Sequence, residues 1–202
     1  MNEESGVQEA NESTRERILR VATELFATHG YHATGIKELE KATGLGRSSL
    51  YYQFPGKEAL LFEIITPYLR ELIAFGDQLL DTEMPSEQRL RLLSRGVIKC
   101  ITGNLAAMTV CFREVHSVTG SQRDQLLNLH RQYEQTWLKV LQAGVVEGVF
   151  RNASHLTVKS LLGMHHYSYL WLRPDGPMTP EEIADAFCDL VLNGLLTHPQ
   201  HR

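Results

Sequence analysis

The chain has 202 residues, a 43% hydrophobic fraction and a net charge of −4. That length is short for two large domains and ample for one all-α body carrying a small head, and the apolar content excludes general disorder. No apolar run approaches the ~20 residues that a membrane span needs, and Cys100, Cys111 and Cys188 have no metal or redox spacing. Their apolar neighbours point to reduced core thiols, and the polar, acidic start is neither a signal nor a transit peptide. The expectation is a cytoplasmic protein with a flexible acidic tail at 1–12.

The first helix is expected from Ser13 and Thr14, which can cap a segment where Ile18, Val21, Ala22, Leu25 and Phe26 repeat on one face. Gly30 can close it in a left-handed conformation. A second helix starts at Thr34, with Ile36, Leu39 and Ala42 inward, and Gly44 ends it. A third starts near Arg47, carries Leu50, Tyr51 and Phe54, and stops at Pro55 and Gly56. The segment "KEALLFEII" then begins a fourth, which Pro67 should kink or end.

Helical spacing continues to the end of the chain. Leu90, Leu93, Val97, Ile98 and Ile101 mark one amphipathic helix, punctuated by Gly103 and Asn104. The next runs through Met108, Phe112 and Val115 to Gly120. Ser121 and Asp124 form a candidate capping box for a long helix that ends near Gly148. Residues 156–172 form another helix, and Thr179, Pro180 and Glu182 open the last at 180–196. There is no β alternation, internal repeat or low-complexity linker. The reading is all-α, about nine helices, with a head at 13–60 and a body at 61–202.

Two short helices joined at "TGLGR" and supported by a preceding helix make a helix-turn-helix, whose second helix enters the major groove of DNA. The head is mildly basic. Arg15, Arg17, Arg20, Lys37, Lys41, Arg47 and Lys57 outnumber Glu16, Glu24, Glu38, Glu40 and Glu58. Leu50 and Phe54 can anchor one face, which leaves Arg47, Ser48 and Ser49 toward base edges. Arg47 suits the bidentate contact to guanine, worth ~1–3 kcal/mol of discrimination. Tyr51 and Tyr52 can reach phosphates and fix register. Lys57 adds a cation beside free helix N–H groups, Thr34 is expected to anchor the backbone at the second helix, and Lys37 joins this DNA-facing set. The competing reading is a plain three-helix bundle, in which Arg47, Ser48, Ser49, Tyr52 and Lys57 have no job.

The stretch "ILRVATELFATHGYHATGIKELEKATGLGRSSLYYQFPGKEALLFEII" resembles the DNA-binding head of TetR/AcrR-type transcriptional regulators over about the first third of the chain. The resemblance implies a helical regulatory domain in the remainder, whose last two helices form a homodimer. Three positions depart from the usual pattern. Gly46 replaces a capping serine, Ser48 a common glycine, and Gln53 a common histidine or tyrosine, which puts the half-site sequence out of reach.

In the body, a small-molecule site is expected among Met108, Phe112, Tyr133, Trp137, Met164, His165, Tyr167, Tyr169 and Trp171, although aromatics at helical spacing equally describe a packed core. Arg113, His116 and Arg131 lie near them in sequence, and the arginines could meet an anionic ligand. His165 and His166 are adjacent and therefore point about 100° apart on a helix, a poor arrangement for one metal ion. No cofactor is expected. The segments "WLKVLQAGVVEGVFR" and "WLRPDGPMTPEEIADAF" are similar to TetR-type regulators of fatty-acid and sterol catabolism. That resemblance implies an acyl-CoA thioester effector, although the chain has no CoA-phosphate motif of its own.

The resulting expectation is a repressor dimer on double-stranded palindromic DNA, with half-sites ~34–36 Å apart, released by a small-molecule effector and without a membrane partner. A ligand-blind DNA-binding adaptor and a multidrug-responsive efflux repressor are the alternatives. An enzyme built on Glu114 with His116, or on His165 with a nearby acid, lacks a nucleophile–base or paired-carboxylate constellation.

Overall fold

Ser13 opens the first helix through a reciprocal capping box. Its hydroxyl accepts from the Glu16 amide at 3.2 Å, and the Glu16 carboxylate accepts from the Ser13 amide at 2.8 Å. The computed structural model describes residues 12–173 and 175–195, so the expected acidic tail lies almost wholly outside the described residues. These residues form helices and connecting turns, with no β-strand among them.

The described residues divide into two compact units, the first within 12–65 and 106–119 and the second within 66–105 and 120–195. The first unit holds α1 (Thr14–His29), α2 (Ile36–Thr43), α3 (Arg47–Gln53), α4 (Lys57–Ile65) and α7 (Leu105–Glu114), followed by a 3-10 turn at Val115–Ser117. Its core contains Ile18, Ala22, Phe26, Leu39, Leu50, Phe54, Leu61 and Ile65, all buried. Each of these side chains except Ala22 contributes roughly 1.5–3 kcal/mol on burial. Gly44 ends α2 with φ +69° and ψ +17°, the left-handed conformation that makes the tight turn into α3.

Segment 106–119 joins the first unit through polar contacts that sequence spacing does not reveal. The Glu114 carboxylate accepts from the Tyr31 amide at 3.3 Å and from the Ser117 hydroxyl at 3.0 Å. Glu58 accepts from the amide and hydroxyl of Thr119, at 2.6 and 2.8 Å. The head expected at 13–60 is therefore completed by a helix from within the expected body.

The second unit holds α5 (Pro67–Asp81), α6 (Ser86–Gly103), α8 (Gly120–Val146), α9 (His155–Tyr167) and α10 (Pro180–Leu195), with a 3-10 turn at Ser168–Leu170. Helix α6 packs on α5, α8, α9 and α10. Pro67 takes the first helical position of α5, where its missing N–H costs nothing, so the expected fourth pattern is two helices. The long helix starts at Gly120, ahead of the expected Ser121–Asp124 box, and the helix expected over 156–172 ends at Tyr167. The Thr179–Glu182 box forms as expected, with bonds of 2.7 and 3.2 Å. Gly76 lets α5 lie against α8, because a Cβ there would collide with the Thr136 methyl.

Candidate nucleic-acid interface

Helix α3 is two-faced. Leu50 and Phe54 are buried at 5% and 4% exposure, whereas Arg47, Ser48 and Ser49 are exposed and Tyr51 and Tyr52 are 40% and 86% exposed. The sequence dictates this through the four-residue spacing of the two anchors, which sets one inward stripe. Gly46 precedes the helix without a side-chain cap. Arg47 places its guanidinium 5.4 Å from the Tyr51 ring centre, a cation–π pair that restrains both long side chains on the outer face. Lys37 is exposed near the start of α2. The arrangement offers a guanidinium, two hydroxymethyl groups, two phenols and an ammonium to a polyanion.

Two residues of the expected DNA-facing set make hydrogen bonds within the protein. Thr34 is fully buried, and its hydroxyl donates to the Gly30 carbonyl at 2.9 Å, so it braces the turn between α1 and α2. Lys57 turns inward as well. Its ammonium donates to the carbonyls of Tyr31 at 2.8 Å and Thr34 at 3.0 Å, and sits 4.3 Å from the Tyr31 ring centre. Burial pushes that ammonium below its ordinary value, and Glu114 acts in the opposite direction. Both residues carry groups suited to a phosphate, but the same groups satisfy backbone carbonyls left open by a non-helical turn. Sequence reasoning missed Tyr31 and Glu114 as members of this network, because no local pattern marks a partner 83 positions away. Arg15 is likewise engaged, 3.0 Å from Glu63 and over the Phe54 ring at 4.8 Å.

The expected small-molecule set is split. Met108, Phe112, Arg113 and His116 belong to the first unit, where Met108 is buried and Arg113 and His116 are exposed. Tyr133, Trp137, His165 and Tyr169 belong to the second. There, Tyr133 and Trp137 meet edge to face at 6.3 Å, His166 stacks on Tyr133 at 6.2 Å, and His165 lies 5.5 Å from Trp137. The His165 Nδ1–H faces the Leu161 carbonyl at 2.8 Å, and Nε2 lies 2.7 Å from the Ser94 hydroxyl. Burial pushes His165 down to about 4 and His166 to about 3, so both rings are neutral near pH 7. Among the described residues no three His, Cys, Asp or Glu side chains gather as metal ligands.

A separate open cleft of about 420 Å³ lies between α5 and α8, lined by Ile73, Asp77, Arg131, Gln132, Gln135, Thr136 and Lys139. None of the expected aromatic residues lines it; Arg131 does. No helix among the described residues is long and apolar enough to cross a membrane.

Comparison with known proteins gives two family matches that together span most of the chain. Residues 18–64 match the bacterial regulatory proteins of the tetR family, and residues 83–195 match the tetracyclin repressor-like C-terminal domain. The chain is 29% identical over 184 residues to the HTH-type transcriptional repressor KstR2 of Rhodococcus jostii, covering 90% of each protein. The structure of the ketosteroid transcriptional regulator KstR2 of Mycobacterium tuberculosis superposes with a TM-score of 0.84 at 25% identity, over 93% of this chain and 97% of that one. AibR, solved in complex with isovaleryl coenzyme A and operator DNA, gives a TM-score of 0.73 at 25% identity, over 88% and 97% of the two chains.

Proposed function

The chain belongs to the TetR family of bacterial regulatory proteins, and from that premise we propose that it is a transcriptional repressor released from a palindromic operator by a small, largely apolar effector. The observation that carries the DNA-binding assignment is the outer face of α3. Arg47, Ser48, Ser49, Tyr51 and Tyr52 share an exposed surface whose back is pinned by Leu50 and Phe54. Arg47 reads a guanine edge, the serines adapt to neighbouring bases, and the two phenols with Lys37 hold phosphates. Thr34 and Lys57 brace the turn that sets the position of α2.

A single head of this size covers little duplex, so two copies reading half-sites one turn apart are required for specificity. Helices α9 and α10 support a homodimer, because Leu156, Tyr167 and Leu190 are 75%, 66% and 69% exposed there. Paired with their mates, these helices make a four-helix interface.

The effector binds the second unit, where Tyr133, Trp137, His165 and Tyr169 lie. The ketosteroid description of KstR2 and the isovaleryl-CoA complex of AibR support an acyl thioester or another lipid-derived carbonyl compound. Arg131 and Lys139, in the α5–α8 cleft, are cations available to an anionic headgroup. To release DNA, the effector must bind the DNA-incompetent dimer more tightly than the competent one; equal affinity would shift nothing. The test is to titrate the DNA upstream of the protein's own gene, then to add each small molecule that co-purifies with it. Complex formation that one of those molecules abolishes is the expected outcome. No complex with that DNA even at low salt would defeat the proposal.

A further inference from the structure

The cleft between α5 and α8 has a volume of about 420 Å³, within the ~300–1,000 Å³ of small-molecule sites. Its floor lies where the two helices come closest, at Gly76 and Thr136, because a Cβ at position 76 would meet the Thr136 methyl. Thr136 is buried there, and its hydroxyl is spent on the Gln132 carbonyl. The walls are polar. Arg131, Gln135 and Lys139 stand at i, i+4 and i+8 on α8, so they form one exposed row about 12 Å long. Asp77 faces the same space from α5. Elsewhere in the second unit cations meet carboxylates: Arg89 with Glu147, Arg91 with Asp189, Arg95 with Asp185 and Lys159 with Glu134. Arg131 and Lys139 enter no ion pair among the described residues, although Asp77 lines the same cleft. Two cations against one carboxylate leave the concavity net positive, and a concave wall focuses that field on its occupant.

We propose that this cleft holds the phosphate group of a small phosphorylated ligand, between Arg131 and Lys139. The assignment rests on the reading of the second unit as effector-binding and adds the charged group that is recognised. Both cations have long side chains and flank Gln135, so they can converge on one group above it. Arginine offers a planar fork of donors and lysine a point charge, a combination that suits a doubly charged phosphoryl group with three acceptor oxygens better than a singly charged carboxylate. The Gln132 and Gln135 amides supply further N–H donors to those oxygens. Asp77 only accepts, so it repels the phosphate and takes a hydroxyl or amine of the attached skeleton. A DNA duplex is too wide to seat in a cleft of this volume, which leaves a small molecule as the occupant.

The test titrates the full chain calorimetrically with ADP, adenosine and inorganic phosphate. The parent should bind ADP at least ~10-fold more tightly than adenosine, the size of one hydrogen bond to a charged group. Arg131→Gln and Lys139→Gln should each cut ADP affinity ~10-fold, whereas Asp77→Asn should raise it ~2–5-fold by removing a nearby negative charge. Arg123→Gln, on α8 but outside the cleft, should leave it within ~2-fold. All four residues are exposed, so each variant should keep the parent melting temperature. Inorganic phosphate bound as tightly as ADP would identify free phosphate as the occupant, and ADP bound ~10-fold more tightly would identify the headgroup of a larger ligand; either result supports the site. ADP bound no better than adenosine, or weakened as much by Arg123→Gln as by Arg131→Gln, would overturn it. A co-purifying molecule that still releases DNA would then leave the effector reading standing. Without ADP, Arg131→Gln should hold operator DNA as the parent does, and a fall would place the cleft against DNA and overturn the assignment.

Discussion

The Lys57 ammonium lies 2.8 Å from the Tyr31 carbonyl oxygen and 4.3 Å from the centre of the Tyr31 ring. One side chain from the start of α4 therefore closes the turn that sets the position of α2, and α2 in turn supports α3. Lys57→Met keeps the apolar stem and removes the charge. It should destabilise the protein by about 1.5–3 kcal/mol, the usual worth of hydrogen bonds to a charged group. Operator affinity should fall with the head's order, while the slope of log affinity against log salt stays at the parent value, because no phosphate contact is removed. Melting curves and operator titrations at several salt concentrations check both parts.

Arg47 and Tyr52 should behave in the opposite way. Both are exposed, so their substitution should leave the melting temperature within about 1–2 °C of the parent, as surface changes of ±0.5 kcal/mol do. Arg47→Ala should weaken operator binding by roughly 1–3 kcal/mol per half-site and relax preference at one base pair. Tyr52→Phe should weaken all operator sequences alike. Binding-site selection with each variant separates the two effects.

Acid should destabilise the second unit through its histidines. Folded His165 titrates near 4 and His166 near 3, both below the ordinary 6.5. Between pH 6.5 and about 4 the unfolded chain therefore binds more protons than the folded one, and stability falls as pH falls through that window. At about 1.4 kcal/mol per pH unit and per proton, His165 alone sets an upper bound of about 3.5 kcal/mol. His166→Phe keeps a ring against Tyr133 and should reduce the slope by about one proton. Urea unfolding at stepped pH measures it.

Arg89 ties the end of α5 to the start of α6. It is 8% exposed, donates to Leu79 and Thr82 at 2.8 and 2.9 Å, and stands beside Ser86, whose amide and hydroxyl are held by Glu147 at 3.0 and 2.6 Å. Arg89→Met should leave those carbonyls open and cost about 1–3 kcal/mol. The urea midpoint should drop with little change in slope.

Much of this was legible in the sequence because it is local. The 3.6-residue spacing of Ile18, Ala22 and Phe26 places α1, Thr179 and Glu182 mark the start of α10, and the spacing of Leu50 and Phe54 assigns the two faces of α3. What failed to show depends on distant partners. A threonine hydroxyl or a lysine ammonium suits a phosphate and a backbone carbonyl equally, so Thr34 and Lys57 could be placed only once the 31–34 turn was seen. Glu114 reaches Tyr31 across 83 positions, and Glu147 reaches Ser86 across 61. No periodicity encodes either pairing.

The most direct measurement is a low-salt titration of the DNA upstream of the protein's own gene with the parent and with the Arg47→Ala/Tyr52→Phe double variant. The parent should form a discrete complex, and the double variant should bind at least ~30-fold more weakly with an unchanged melting temperature, about 2 kcal/mol, the low end for Arg47 lost at both half-sites. A double variant that holds the fragment as tightly as the parent would contradict the reading of α3 as the DNA-recognition helix.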